Sequence, residues 1–487
     1  MPAPDNPAMI VARYLKNANY DETYAAFVAE AGLPSGAGVV AKGALTLERL
    51  LEEKRMFDLT AGFERMGADD EEDGEGDKGW REPGKLFRLV TGCLMRDLKV
   101  DDKISAPSSA TALTTLPSPS NILSVSAAPT QDTDGKETAM MLITTAARRL
   151  HILDAATQTL RASLLGLADS PILSTAVFRS QYILTASMSG QLLLSDLEGR
   201  VLEERRDHGK YIVKIAVHDP KPHGDDGDDS AHAIIATASW DCTIKLYRPS
   251  TSGPGHPPTI GAPYAAITLP TKPEALLFTP HPVTNETLIL LARADSTHLH
   301  FYPTNSANPQ LLARQNLAPH SNAWIAFTPS ALAPHPTDPS IVAVATSSTP
   351  HMKLLIVRLL ALPLPGDDLP AAPETQTSQS RAALARAEKE DAAILIHANT
   401  LAPQTPYSTP CVAWRPDGSG LWVNGDDGMV RGVEARSGKV MVVLKGHEAG
   451  SKVRCLWAGE IPEREGGKEV LVSGGFDQKV LVWKAGG

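Results

Sequence analysis

The stretch Gly446–Trp483 constrains the fold more than any other part of this chain. It reads Gly446-His447, an apolar run Val453–Trp457, a second run Glu469–Ser473, a turn Phe476-Asp477-Gln478-Lys479, and a third run Val480–Trp483. Three short runs divided by turns predict three antiparallel strands. The turn Asp lies six residues before the Trp. Its carboxylate can accept backbone N–H bonds in the tight turn and orient His447. The imidazole can then reach Ser473, whose hydroxyl can reach the Trp483 ring N–H. His447, Ser473, Asp477 and Trp483 therefore read as a structural network rather than a catalytic triad, because polar groups buried in a sheet must pair.

The same alternation of strands and turns recurs upstream at similar intervals. We count seven units: about Asn121–Ala162, Pro171–Arg206, Tyr211–Arg248, Pro273–Pro303, Trp324 to about Ile396, Cys411–Leu444, and Val453–Trp483. The third is the second-best match, with Thr237, Asp241 and Tyr247 at the spacing of Ser473, Asp477 and Trp483, and His208 in front. The sixth has Asp427 at its turn, and the fifth is enlarged by a Pro-rich piece and an expected exposed helix, Ser380–Asp391. The unit resembles a WD repeat, the blade of a β-propeller. A blade has four strands, and the seventh unit stops after three. An unpaired edge is a liability, so Ala110–Leu116 is expected to supply the outer strand and close the ring.

The N-terminal part has a different period. Pro7–Leu33 reads as two short helices: the first with Met9, Ile10, Tyr14 and Leu15, the second with Thr23, Tyr24, Phe27, Val28 and Ala31, and Asp21 placed to cap the second. Tyr14-Leu15 followed by Tyr20-x-x-Thr23-x-x-x-Phe27-x-x-Glu30 resembles the LisH motif, with Asn19 where that family has Gly. The resemblance implies homodimerisation through Ile10, Tyr14, Leu15, Tyr20, Tyr24 and Phe27. A helical hairpin of about 27 residues cannot bury its apolar face alone; a second copy or the chain's own remainder must cover it. Ala44–Gly67 continues with helix-like spacing, Asp69–Asp77 is an acidic run read as a solvated linker, and Trp80–Val100 predicts another helix. The expected fold is mainly β: a seven-bladed WD-type propeller over 110–487 closed by strand 110–116. A helical LisH-like dimerisation region over 1–66 and an acidic, polar linker with a helix over 67–109 precede it.

The resemblance to WD-repeat propellers implies that the residue before the turn Asp is exposed on the face where partners dock. Here it is Trp240 in the third unit and Phe476 in the seventh, with Met188 and Asp426 at matching places in the second and sixth. Large aromatics set outward are costly to leave in water and suit binding anchors. Tyr211, Trp324 and Lys452, near the starts of inner strands, are expected to join them.

Other chemistry finds little support. No Walker loop, G-x-S-x-G or H-E-x-x-H occurs. Asp225, Asp226, Asp228 and Asp229 crowd one loop but lack calcium-loop spacing, and His298 and His300 alternate on a strand without a third ligand. No cofactor or metal is expected. A net charge of −10 offers no field for nucleic acid. Cys93, Cys242, Cys411 and Cys455 are far apart, which points to a reducing, intracellular setting, cytoplasmic or nuclear. No signal peptide or membrane-spanning run is read. The expected function is a non-enzymatic, dimeric interaction scaffold that binds itself and other proteins. The alternative is a substrate receptor or core subunit of a ubiquitin ligase, for which Val433-Glu434-Ala435-Arg436 is a degraded W-D-x-R ending.

Overall fold

A computed structural model describes residues 7–34, 36–39, 46–47, 107–131, 137–220, 233–250, 256–319, 327–362, 376–463 and 466–485. The expected helices in Ala44–Gly67 and Trp80–Val100, the acidic run Asp69–Asp77, Trp324 and the Asp225–Asp229 loop lie outside them. The chain divides into two compact units, Met1–Lys78 and Gly79–Gly487.

The first unit contains α1, Pro7–Asn17, and α2, Asp21–Glu30. Pro7 suits a first helical position, where its missing N–H costs nothing. Asn19 adopts φ 59° at the break, a left-handed conformation that Asn tolerates better than most residues. Asp21 does not cap α2. Tyr20 occupies the cap position without a side-chain bond, while Asp21 is already helical and accepts from the Lys16 ammonium at 2.6 Å. Ile10, Ala12 and Arg13 of α1 are buried, whereas α2 buries none of its side chains.

The second unit is a seven-bladed β-propeller, each blade a four-stranded antiparallel sheet. From the inner strand outward, blade one is Ile122–Gln131, Glu137–Thr145, Arg149–Asp154 and Leu160–Leu165. Blade two is Ile172–Phe178, Tyr182–Ser187, Leu192–Asp196 and Val201–Arg205. Blade three is Ile212–His218, Ile234–Ser239, Thr243–Tyr247 and Ala265–Thr268. Blade four is Pro273–Pro280, Thr287–Arg293, His298–Pro303 and Ala313–Asn316. Blade five is Thr328–Pro334, Ile341–Ser347, His351–Arg358 and Ile394–Pro403, with α3, Gln376–Ala392, between its last two strands. Blade six is Val412–Trp414, Gly420–Asn424, Met429–Glu434 and Val440–Lys445. Blade seven is Val453–Glu463, Gly466–Gly475 and Val480–Ala485, and its outer strand is Pro107–Ala112.

The closing strand thus starts and ends earlier than the expected Ala110–Leu116. Ala110 lies opposite Trp483 and Ala112 opposite Leu481. Beyond Leu113, whose N–H reaches the Val480 carbonyl at 2.9 Å, the chain must turn inward to begin blade one. Leu113 and Leu116 pack on the core between blades seven and one instead of extending the strand.

Strand alternation explains why the wheel holds. Met141 and Ile143 face blade seven, packing with Val470 and Val472, whereas Met140 and Leu142 face blade two, packing with Ile172 and Ile183. Each blade therefore buries both faces, and there is one apolar cluster at each of the seven blade junctions.

Two histidines make this interior sensitive to acid. His151 is fully buried in blade one, with neither ring nitrogen bonded among the described residues. Burial, helped by Arg149, pushes its pKa down to about 4. Burial and then Arg293 do the same to His300, also to about 4. The folded chain keeps both rings neutral where the unfolded chain protonates them. Their contribution is intact above pH 6.5 and is lost as pH falls from there towards 4. Stability measured by urea unfolding should fall across that window. His151→Leu should flatten the pH slope by up to about 1.4 kcal/mol per pH unit, the value of one proton; an unchanged slope would refute the assignment.

Candidate partner-docking face

A repeated backbone bond builds one edge of the wheel. The N–H after the second strand donates to the carbonyl just before the inner strand: Trp240 to Tyr211 at 2.9 Å, Phe476 to Lys452 at 2.9 Å, Met188 to Pro171 at 3.0 Å, Ala146 to Asn121 at 2.9 Å and Ala294 to Lys272 at 2.8 Å. These bonds bring the turn tips and inner-strand starts of five blades to the same face. In blade six the matching Asp426 N–H reaches Pro403 of the preceding blade at 3.2 Å.

Beneath the tips lie the polar networks. In blade seven His447 Nδ1 lies 3.0 Å from both Asp477 oxygens, and Nε2 lies 2.8 Å from Ser473 Oγ. Trp483 Nε1 donates to the same Oγ at 2.8 Å. With Nδ1 donating to the carboxylate, Ser473 can donate to Nε2 while accepting from Trp483, and every group is satisfied. His447 and Asp477 side chains are 0% exposed and Ser473 is fully buried, so no substrate reaches the hydroxyl. Burial outweighs the opposing pull of Asp477 and lowers the pKa of His447.

Blade three repeats the arrangement. His208 Nδ1 lies 3.0 Å from Asp241 and Nε2 lies 2.8 Å from Thr237. Tyr247, at the place of Trp483, donates its hydroxyl to Asp207 at 3.2 Å.

The outward residues divide into two sets. Trp240 is 37% exposed and stacks on Tyr211, with ring centroids 5.3 Å apart at 25°. The Lys272 ammonium sits 4.8 Å from the Trp240 ring centre. Phe476 is 39% exposed and Met188 is half-buried. Asp426 and Lys452, by contrast, bind each other at 2.8 Å, and Asp426 also accepts from Ser408 at 2.5 Å. Lys452 donates to Thr405 at 2.8 Å. The Asp426 side chain is only 11% exposed, so it ties the loop ahead of blade six to the wheel rather than standing free. That loop carries Tyr407, 87% exposed, which repeat spacing does not mark because it lies between blades.

His298 and His300 lie with rings 6.2 Å apart, and Arg293 Nε reaches His300 Nε2 at 3.3 Å. Among the described residues no cluster of three or more His, Cys, Asp or Glu is placed to hold a metal. No helix among them is long and apolar enough to cross a membrane.

The model of a family described as "UCP007778, beta-propeller domain" matches residues 114–484. The chain belongs to this β-propeller family. The match begins just after the closing strand and does not include α1 and α2. No curated protein matches the chain. In this family member, Ser473→Ala should orphan both His447 Nε2 and Trp483 Nε1. Unsatisfied buried donors and acceptors cost about 1–3 kcal/mol each, so urea unfolding should show a loss of roughly 2–5 kcal/mol. A change below about 0.5 kcal/mol, the range of surface substitutions, would show that the network does not support the blade.

Proposed function

We propose that this propeller is a non-enzymatic protein-interaction scaffold whose partners dock on the face bearing Trp240 and Phe476. A β-propeller suggests an interaction scaffold in general terms. The observation that carries the reading is the pairing of two exposed aromatic sites, Trp240 with Tyr211 and Phe476, at equivalent turns above fully satisfied polar networks. The WD-like residues His447, Ser473, Asp477 and Trp483 make the turns rigid, and rigid aromatic anchors bind with little loss of side-chain freedom. Cys242, Cys411 and Cys455 are free thiols, which supports a reducing intracellular setting.

The LisH-like hairpin gives the scaffold two copies of this face. The support is that α2 buries no side chain and Tyr20 is 54% exposed, with Tyr14, Leu15, Tyr24 and Phe27 half-buried. Ile10 is 8% exposed and already covered by its own chain, so the other five would form the contact. Pairing makes the scaffold bivalent for partners with repeated sites.

Light scattering after size exclusion should give twice the 51.9 kDa chain mass for the full protein and the monomer mass for Tyr20→Glu/Phe27→Glu. A monomeric full chain would remove the dimer. Separately, Trp240→Ala and Phe476→Ala should each weaken capture of co-purifying partners by roughly tenfold or more, as expected for anchors, with thermal midpoints near wild type. Unchanged capture by both variants would remove the docking face.

A further inference from the structure

The inner strands carry a device that the repeat pattern does not reveal. Six of the seven have a register shift at their start: between Ile122 and Ser124, Ile172 and Ser174, Ile212 and Lys214, Pro273 and Ala275, Pro329 and Ala331, and Val453 and Cys455. Bulges re-aim side chains at rims, and the skipped residues here, such as Leu123, Leu173, Val213 and Arg454, are all half-buried. Innermost strands surround the axis of the wheel, so these positions lie at the mouth of the central channel, one step inward from the turn tips.

Cations occur at the bulge or directly after it in two blades only, Lys214 after the skipped Val213 and Arg454 at the skipped position itself, and these are the two blades with aromatic tips. Blade three has Lys214, three residues after the Tyr211 that supports Trp240. Blade seven has Arg454, two residues after the Lys452 whose carbonyl holds Phe476. The other four bulged strands place Leu123 and Ser124, Leu173 and Ser174, Glu274 and Ala275, or Ser330 and Ala331 there.

Neither cation has a counter-charge among the described residues. Lys214 is exposed, and Arg454 is half-buried. Among the described residues neither makes a hydrogen bond or ion pair, and both act electrostatically on the Cys411 thiol. The electrostatic neighbours of Arg454 are Cys411 and Cys455, thiols that burial keeps protonated. Glu274, the nearby carboxylate of blade four, has Lys272 and Asp295 as its neighbours instead. The rim charges are different: Lys452 is paired with Asp426, Lys479 with Glu448, and Arg206 with Asp169 and Glu204. A partly desolvated guanidinium without a counter-charge is costly unless something else supplies one.

We propose that the channel mouth accepts an acidic segment of a partner protein, its carboxylates held by Lys214 and Arg454 and its flanking apolar side chains by Trp240 and Phe476. This inference rests on the docking-face reading and adds the partner's chemistry. Arg454 presents a planar fork of N–H donors suited to a carboxylate, and Lys214 a mobile point charge that adds attraction. The flanking rings supply the apolar anchors that charge alone lacks.

The test is fluorescence anisotropy of a labelled decaglutamate peptide against the full chain at low salt, with inorganic phosphate as a second probe. Lys214→Glu and Arg454→Glu should each weaken peptide binding by roughly tenfold or more, as loss of a directly contacting charge does. Lys214→Met and Arg454→Met should weaken it less while preserving the fold by thermal melting. Lys389→Glu, the same charge change on exposed α3, should have no effect. The proposal falls if the peptide does not bind, if the channel variants bind it as wild type does, or if Lys389→Glu weakens it equally. It also falls if phosphate binds with the same dependence while the peptide does not. Loss of partner capture in Trp240→Ala with peptide binding unmoved by Lys214→Glu and Arg454→Glu would leave the docking face standing and overturn the acidic partner.

Discussion

Ring closure is the constraint on which the rest of this propeller depends. Blade seven has only three strands from its own stretch of chain, and its third, Val480–Ala485, would otherwise expose a hydrogen-bonding edge. Pro107–Ala112 covers that edge from more than 360 residues upstream, leaving Leu113 and Leu116 to enter the core that blade seven shares with blade one. The junction holds Ile122, Met141 and Ile143 against Val470, Val472 and Val482. A wheel has no end blade to sacrifice, because each blade buries both faces against neighbours. Opening one junction therefore exposes two apolar faces at once.

Polar groups are managed by a second principle, pairing across elements rather than exposure. His447 and His208 are fixed by carboxylate and hydroxyl together, and the tight turns are fixed with them. Arg415 and Glu469 show the same economy between blades six and seven. Arg415 Nη2 lies 2.6 Å from Glu469, with side chains 0% and 5% exposed, and Arg415 Nη1 donates a further hydrogen bond to Ser419 Oγ at 2.9 Å. Such a pair fixes how one blade sits on the next, and losing either partner would leave a buried charge. Among the described residues Lys214 and Arg454, like the neutral His151, depart from this rule, and their charge is what gives them a functional argument.

What could be read in advance followed from local period and spacing. Short runs such as Ile234–Ser239, closed by a turn at Asp241, mark strands buried on both faces. The same logic placed the helical hairpin before the wheel. Long-range pairing was less legible. Ala110–Leu116 mixes Ala, Thr and Leu along its whole length, so spacing alone cannot say where pairing with Val480–Ala485 stops and the inward turn starts. Asp426 has the position of an outward contact, but its partners Ser408 and Lys452 come from two other segments. Tyr407 and the bulges at Val213 and Arg454 follow from loop placement and register, which no local repeat encodes.

The most direct measurement of this account is hydrogen exchange on a Thr111→Pro variant. The substitution removes an N–H from the closing strand opposite Val482. A ring held by this closure should lose protection together at Val480–Ala485, Gly466–Gly475 and Ile122–Thr145, with a lower thermal midpoint. Faster exchange confined to 107–113, with the strands of blades one and seven protected as in the wild type, would contradict it.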